Sequence, residues 1–306
     1  MSKIEQNILA ALAYFDMWDY PLTYHEIFLF LENKCAENDF SVALNSLITD
    51  KLIFQLDKFY SLKNDASLAE RRINGNKNAQ VLIRKAEKVA RLLIKFPYVR
   101  GVGISGSLSK NFADEHSDID LFIITEKNRL WIARTLMHFF KKLTFLVGRQ
   151  HYFCMNYYVD ELELEIAEKN IYTAIEIATI LPMQGKSFFE DFYKANAWTR
   201  DFLPNKIMCP SSIDTAENYF FKRWAEKLFN HRAINRLDDF LMKITAQRWQ
   251  QKTLMKKLNL RGTVMSMAAG KHCAKPDPAS FQHILVEKYQ RKLALLLHEY
   301  DDKPAQ

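Results

Sequence analysis

The sequence predicts an α+β fold: a small mixed-sheet core flanked by an N-terminal unit of helices with a hairpin and by a C-terminal helical domain. Three observations predict it. Apolar residues in the first 64 positions recur at helical spacing and then alternate over two short runs. Residues 99–125 read as strand, turn and strand. From about Ile171 the pattern is helical almost to the last residue. The corresponding domains are residues 1–64, 65–168 and 169–306, a division in keeping with a chain of 306 residues.

In the first unit, Ile4, Ile8, Leu9, Leu12 and Phe15 mark one helix. Pro21 breaks the pattern, and Thr23 is placed to cap a second helix carrying Ile27, Phe28 and Leu31. A third helix starts near Phe40, and Leu52–Leu56 and Phe59–Leu62 form two short strands joined at Asp57-Lys58. Three helices and a hairpin resemble a winged helix-turn-helix module. Residues 65–97 read as a linker and a helix, interrupted at Asn74-Gly75-Asn76 and ended by Pro97. Further on, Ile171, Ala174, Ile175, Ala178 and Leu181 form a helix stopped by Pro182. Phe220–Leu228, Ile234–Trp249 and Phe281–Leu297 supply three more.

Charge narrows the function classes. Net charge is +7, but residues 1–64 hold 5 Lys and Arg against 9 Asp and Glu, net −4. DNA affinity rests on Lys and Arg neutralising phosphates, and the stretch that would form a recognition helix, Phe40–Thr49, has no basic residue. A structural or protein-contact role is therefore favoured over DNA binding for this unit. The basic excess lies in residues 127–306, with 28 Lys and Arg against 19 Asp and Glu, and suits either a nucleotide or acidic partner or a solvated surface. Leu130–Val147, the best candidate for a membrane span, is broken by Arg134, Lys141 and Lys142, and the start has no signal-peptide pattern. The four cysteines, at 35, 154, 209 and 273, share no motif spacing. Reduced thiols in a cytoplasmic protein are the expectation.

The chemistry is carried by Val99–Thr125. Val99–Ser105 has the small and β-branched character of a buried strand, Gly106-Ser107 is a turn into a short helix over Leu108–Ala113, and Asp118–Ile124 is a second strand. Side chains at i and i+2 of a strand share a face, so Asp118 and Asp120 point together while Ile119 and Leu121 point into the opposite core. Two such carboxylates repel unless a cation lies between them. Hard oxygen ligands suit Mg²⁺, which shares its coordination with substrate phosphates. Gly106 lets a phosphate approach the backbone, the Ser107 hydroxyl can donate to a phosphate oxygen, and Lys110 adds charge one turn on.

Gly-Ser, a spacer of about ten residues and Asp-x-Asp resemble the signature of the nucleotidyltransferase superfamily of the DNA polymerase beta type. The order of helix, strands and C-terminal helices is similar to that of small bacterial nucleotidyltransferase-domain proteins. The resemblance implies that Gly106, Ser107 and Lys110 bind the nucleotide. It also implies that Asp118 and Asp120 are catalytic and hold two Mg²⁺ ions, with Mn²⁺ an alternative. The substrate would be a nucleoside triphosphate such as ATP, and the acceptor hydroxyl would belong to a small molecule, a protein or an RNA. The family also has a third carboxylate on a neighbouring strand. Here that strand is His151–Val159, with Tyr152, Cys154, Asn156 and Tyr158 on one face and Asn156 at the acid's place. Three outcomes stay open. Asp160 or one of Glu163 and Glu165 supplies the acid, although these glutamates also fit the wet face of a short edge strand. Asn156 suffices with water as the proton acceptor. Or the protein binds nucleotide as a sensor or interaction protein and transfers nothing.

Weaker signals have plainer readings. His272-Cys273 near Asp277 and His283 lacks paired zinc-ligand spacing and reads as a loop. His116 reads as an exposed loop histidine beside Asp118. Phe188, Phe189, Phe192, Tyr193 and Trp198 read as core, and Arg129, Arg134 and Lys141 as a solvated helix face.

Overall fold

Capping chemistry sets the first helix boundaries of the computed structural model, which describes residues 1–115, 117–144, 153–208, 219–228, 232–256, 267–276 and 281–301. Helix α1 (Lys3–Asp16) starts at a capping box in which Ser2 and Glu5 bond each other's backbone amides. Strand β1 (Leu22–Thr23) leads into α2 (Tyr24–Leu29), where Thr23 and Glu26 repeat the device. Helix α3 (Glu37–Thr49) is followed by β2 (Phe54–Leu56) and β3 (Phe59–Ser61), with Asp57 at φ 58° in the turn between them. β1 pairs with β3, giving a three-stranded sheet in the order β1-β3-β2.

Helix α4 (Ala66–Leu93) corrects the expectation of a break at Asn74-Gly75-Asn76: it runs unbroken for 28 residues. Glycine in a helix interior costs about 1 kcal/mol relative to alanine. Here it serves a close approach, because a Cβ at Gly75 would lie 2.3 Å from the Phe112 ring. The Gly75 carbonyl also accepts from Ala113 N at 3.1 Å, so α4 holds the loop that follows the Gly-Ser turn.

The main sheet contains β4 (Val99–Ile104), β5 (Asp120–Thr125), β6 (Cys154–Asp160), β7 (Leu181–Gln184), β8 (Met267–Ala269) and β9 (Cys273–Pro276) in the order β7-β4-β5-β6-β9-β8. β5 and β6 are parallel and the other neighbours antiparallel. The helices are α5 (Gly106–Ser109), α6 (Leu130–Thr144), α7 (Ile171–Thr179), α8 (Lys186–Ala195), α9 (Phe220–Leu228), α10 (Arg232–Leu254) and α11 (Phe281–Asp301). Residues after 171 are therefore not helical throughout, since three of the six strands come from them. Pro182 does not merely stop α7. It lies in β7, an edge strand, where a residue without an N–H is tolerated. His272-Cys273, expected in a loop, leads into β9, and Cys273 pairs with Val159.

The two faces of the sheet bury different residues. Val102, Ile104, Leu121, Ile123, Met155 and Tyr158 pack under α4, α6 and α10. Phe122, Ile124 and Val159 pack against Phe189, Phe192 and Tyr193 of α8, which are core as expected. The N-terminal unit shares its core with the rest of the chain, because Ala174, Ile175, Leu285 and Tyr289 pack among the buried residues of α1–α3. Tyr289 donates to Glu32 at 2.9 Å, and Lys292 pairs with Asp16.

The helix after β5 carries no solvated arginine face. Arg129 and Arg134 are only 6% and 9% exposed. α10 covers them: Arg129 donates to Asn235, and the Arg134 guanidinium lies 4.5 Å from the Trp249 ring centre. Asp238 of α10 reaches the first turn of α6 and accepts from Ile132 N at 2.9 Å. Burial pushes its carboxyl up to about 6, against the lowering effect of the amides it accepts from.

Two outcomes follow. Gly75→Ala lowers stability by about 1–3 kcal/mol through overpacking against Phe112. In a Phe112→Ala background the same methyl is neutral or stabilising by up to about 1 kcal/mol, because only helix propensity remains. Denaturant melts of the four proteins check this. For Asp238, the unfolded chain releases its proton before the folded one as pH rises from about 4 to about 6, so stability falls across that window. Asp238→Asn keeps the acceptor and removes the ionisation. Its stability relative to the parent therefore rises between pH 4 and pH 6 in urea melts at closely spaced pH values.

Candidate functional site

The antiparallel register of β4 and β5 assembles the site. Ile104 pairs with Leu121 and Gly103 with Phe122, so the end of β4 lies beside the start of β5. Ser105 N donates to the Asp120 carbonyl at 2.9 Å, one step beyond the regular ladder. The chain then turns at Gly106, whose φ of 70° is left-handed and costly for a residue with a Cβ. A Cβ there would also stand 2.7 Å from Asp120 Oδ2. Glycine is thus needed twice, for the turn and for the carboxylate seated on it.

Strand β5 starts at Asp120, so Asp118 belongs to the loop before it and not to the strand as expected. The alternation nevertheless extends back through it: Ile119 and Leu121 are fully buried, and Asp118 and Asp120 are half-exposed. Ser107 is exposed at the mouth of the turn. Leu108 anchors α5 in the core, and Ser109 Oγ donates back to the Gly106 carbonyl at 2.8 Å. Lys110 Nζ donates to the Gly106 carbonyl at 3.1 Å and to Glu176 Oε1 at 2.8 Å. Its charge therefore braces the turn, and Tyr20 of the N-terminal unit donates to its carbonyl.

Glu176 and Tyr172 were not singled out from sequence. They lie one turn apart on α7, the spacing that puts two side chains on one helix face. Burial, then Glu176, then Asp120 push the Tyr172 hydroxyl well above the usual phenol range, and Ile177 of α7 packs with Phe122, which shares the Asp120 face of the sheet. The available signal was a single glutamate in the otherwise apolar run Ala174–Ala178.

Asp160 is corrected as a third ligand. It pairs with Thr125 while Asp120 pairs with Cys154, so it lies at the opposite end of two parallel strands. Five residues of strand correspond to roughly 17 Å. Asp160 is also fully buried and occupied: it accepts from Asn128 N at 3.0 Å and Leu162 N at 2.9 Å, and pairs with His272 Nδ1 at 2.7 Å. Glu163 and Glu165 form no edge strand. Both are exposed, and Glu165 pairs with Lys169 at 2.6 Å.

A bulge in β6 corrects the expected face. Leu121 pairs with Met155 but Phe122 with Tyr157, leaving Asn156 as the extra residue. Tyr158 thus packs with Leu121 and Ile123, on the face opposite that of Asp120. The Asn156 side chain, proposed for the acid's place, lies outside the described residues, as do His116, Tyr152, Asp277 and Cys209. Among the described residues no group of three His, Cys, Asp or Glu side chains is arranged to hold a metal ion. Asp120 sits against the Gly106 turn and Asp118 precedes Asp120 by two residues, both half-exposed, so the pair offers hard oxygen donors. That set fits Mg²⁺, which takes one or two carboxylates and completes its shell with substrate phosphates and water.

Residues 83–192 match the family model described as the nucleotidyltransferase domain. The matched stretch runs from the second half of α4 into α8 and supports a nucleotidyltransferase domain over those residues. No curated protein and no solved structure matched the chain. No described helix is long and apolar enough to cross a membrane.

Gly106→Ala tests the turn. The left-handed φ alone costs about 1–2 kcal/mol, and the added methyl drives the Asp120 carboxylate off its seat. Denaturant melts will show that loss. The double variant Gly106→Ala, Asp120→Ala loses less than the sum of the two single changes, because the clash is then absent.

Proposed function

We propose that this protein is a Mg²⁺-dependent nucleotidyltransferase, which moves a nucleoside monophosphate from a nucleoside triphosphate to the hydroxyl of an acceptor. The observation that carries this reading is the Asp120 carboxylate seated 2.7 Å from where a Gly106 Cβ would stand. A triphosphate brought to this turn meets that carboxylate and needs a cation between them. The match over residues 83–192 supports nucleotidyl transfer in general.

In this reading Gly106 leaves room for the phosphates against the backbone, and the exposed Ser107 hydroxyl donates to a phosphate oxygen. Lys110, tied to Glu176 and to the Gly106 carbonyl, holds the turn in shape so that little reorganisation accompanies binding. Asp118 and Asp120 hold the cation. When bound, Mg²⁺ neutralises charge on the phosphates and lowers the pKa of the attacking hydroxyl. The acceptor oxygen forms its bond to the α-phosphorus as the bond to the pyrophosphate oxygen breaks, and the hydroxyl proton leaves to solvent or a nearby base. The N-terminal unit serves as a structural or protein-contact module. The alternative function is a nucleotide sensor, in which the same turn and carboxylates hold the triphosphate without transfer.

Incubation with α-phosphate-labelled ATP, GTP, CTP and UTP, Mg²⁺ or Mn²⁺ and a cell extract distinguishes the two. The enzyme reading expects a labelled acceptor, with transfer reduced about a thousandfold in Asp118→Ala, Asp120→Ala, the loss of several kcal/mol of charge stabilisation. Tight triphosphate binding with no labelled product under any of these conditions would refute transfer and establish the sensor.

A further inference from the structure

A pocket of about 280 Å³ lies behind the Gly-Ser turn, where the N-terminal unit meets the nucleotidyltransferase domain. That is room for roughly nine waters, or for a molecule of about as many non-hydrogen atoms. Phe15, Leu29, Phe30 and Met208 supply apolar wall, while Lys206, Glu26, Asn111 and Lys110 supply polar groups.

Among the described residues that line it, charge bookkeeping leaves one cation unbalanced. Glu26 is fully engaged: Oε1 accepts from Arg72 at 2.6 Å, and Oε2 accepts from Thr23 N at 2.8 Å. Lys110 is paired with Glu176. The Tyr20 hydroxyl is spent on the Lys110 carbonyl, and the Tyr193 hydroxyl donates to the Ile180 carbonyl at 3.1 Å. Lys206 has no such arrangement. Among the described residues its ammonium meets no hydrogen-bond acceptor and no carboxylate within ion-pair distance. Burial lowers its pKa, opposed by the more distant charge of Glu26. A half-buried ammonium without a partner is a costly group to keep unless something answers it.

We propose that this pocket binds a small organic monocarboxylate, its carboxylate on Lys206 and its apolar body against Phe15, Phe30 and Met208. The charge count selects this class. A neutral ligand leaves the ammonium unanswered, and a phosphate monoester brings a second negative charge that no second unpaired cation of the described pocket lining meets. Asn111, held at φ 57° beside Lys110, also lines the pocket. The site is separate from the Asp118–Asp120 pair. It touches the nucleotide turn through Lys110, so its occupant borders the same loop from behind.

The test uses the full chain, with benzoate and hexanoate as probes, benzamide as the neutral counterpart and phenyl phosphate as the more highly charged one. Calorimetric titration and ligand-observed NMR measure binding. Benzoate or hexanoate is expected to bind at least about tenfold more tightly than benzamide and phenyl phosphate. Lys206→Met is expected to weaken carboxylate binding by about tenfold or more, while Lys206→Arg stays within about threefold of the parent. Ala178→Leu, which narrows the pocket from α7 without changing charge, is expected to block the carboxylates. Circular dichroism and melting curves confirm that each variant is folded. The proposal fails if neither carboxylate binds, if benzamide or phenyl phosphate binds as well, or if folded Lys206→Met and Ala178→Leu leave carboxylate affinity unchanged.

Discussion

The pairing of β4 with β5 is the constraint from which the site follows. Two antiparallel strands with the register Ile104↔Leu121 bring the end of one and the start of the other to the same edge of the sheet. The turn after β4 and the carboxylates around the start of β5 then meet whatever the intervening loop does. Shifting that register by one residue would turn Asp120 into the core and Leu121 toward solvent, because strand side chains alternate. The buried pair Ile119 and Leu121 resists such a slip, so hydrophobic burial holds the carboxylates in place.

Around that pairing the molecule builds supports. Gly75 lets α4 run straight past Phe112, Tyr20 reaches the Lys110 carbonyl, and Glu176 of α7 holds the Lys110 ammonium. Three distant parts of the chain thus brace one turn. The opposite end of the sheet is closed in another way. Asp160 takes two backbone amides and His272, and Arg100 gathers Glu126, Glu161 and Glu226 around the start of β4. The acids near one end therefore serve structure, and Asp118 and Asp120 at the other end stay half-exposed. The N-terminal unit packs against α7 and α11.

Much of the fold was legible because its signals are local. The capping residue Thr23, the turn at Asp57-Lys58 and the apolar stripes of α3, α9 and α11 each act within a few residues. Errors arose where a distant partner overrode a local preference. Asn74-Gly75-Asn76 reads as a breaker until Phe112 is placed against the glycine. Leu181-Pro182 reads as a helix end until β4 is available to pair with it. Arg129 and Arg134 read as a wet face until α10 lies over them.

The sequence by itself determined the Gly106-Ser107 turn and the spacing of Asp118 and Asp120. Backbone conformation and side-chain alternation are properties of adjacent residues, so they are written in consecutive letters. Only the tertiary structure decided that Asp160 belongs to the far end of the sheet, that Lys110 is tied to Glu176, and that Tyr172 faces Asp120. It also decided that Asn156 sits at a bulge, where two-residue alternation stops being a guide. These facts depend on which distant segments pack together and in which register, and many registers satisfy the same hydrophobic pattern. The choice among them is made by burial of the whole core.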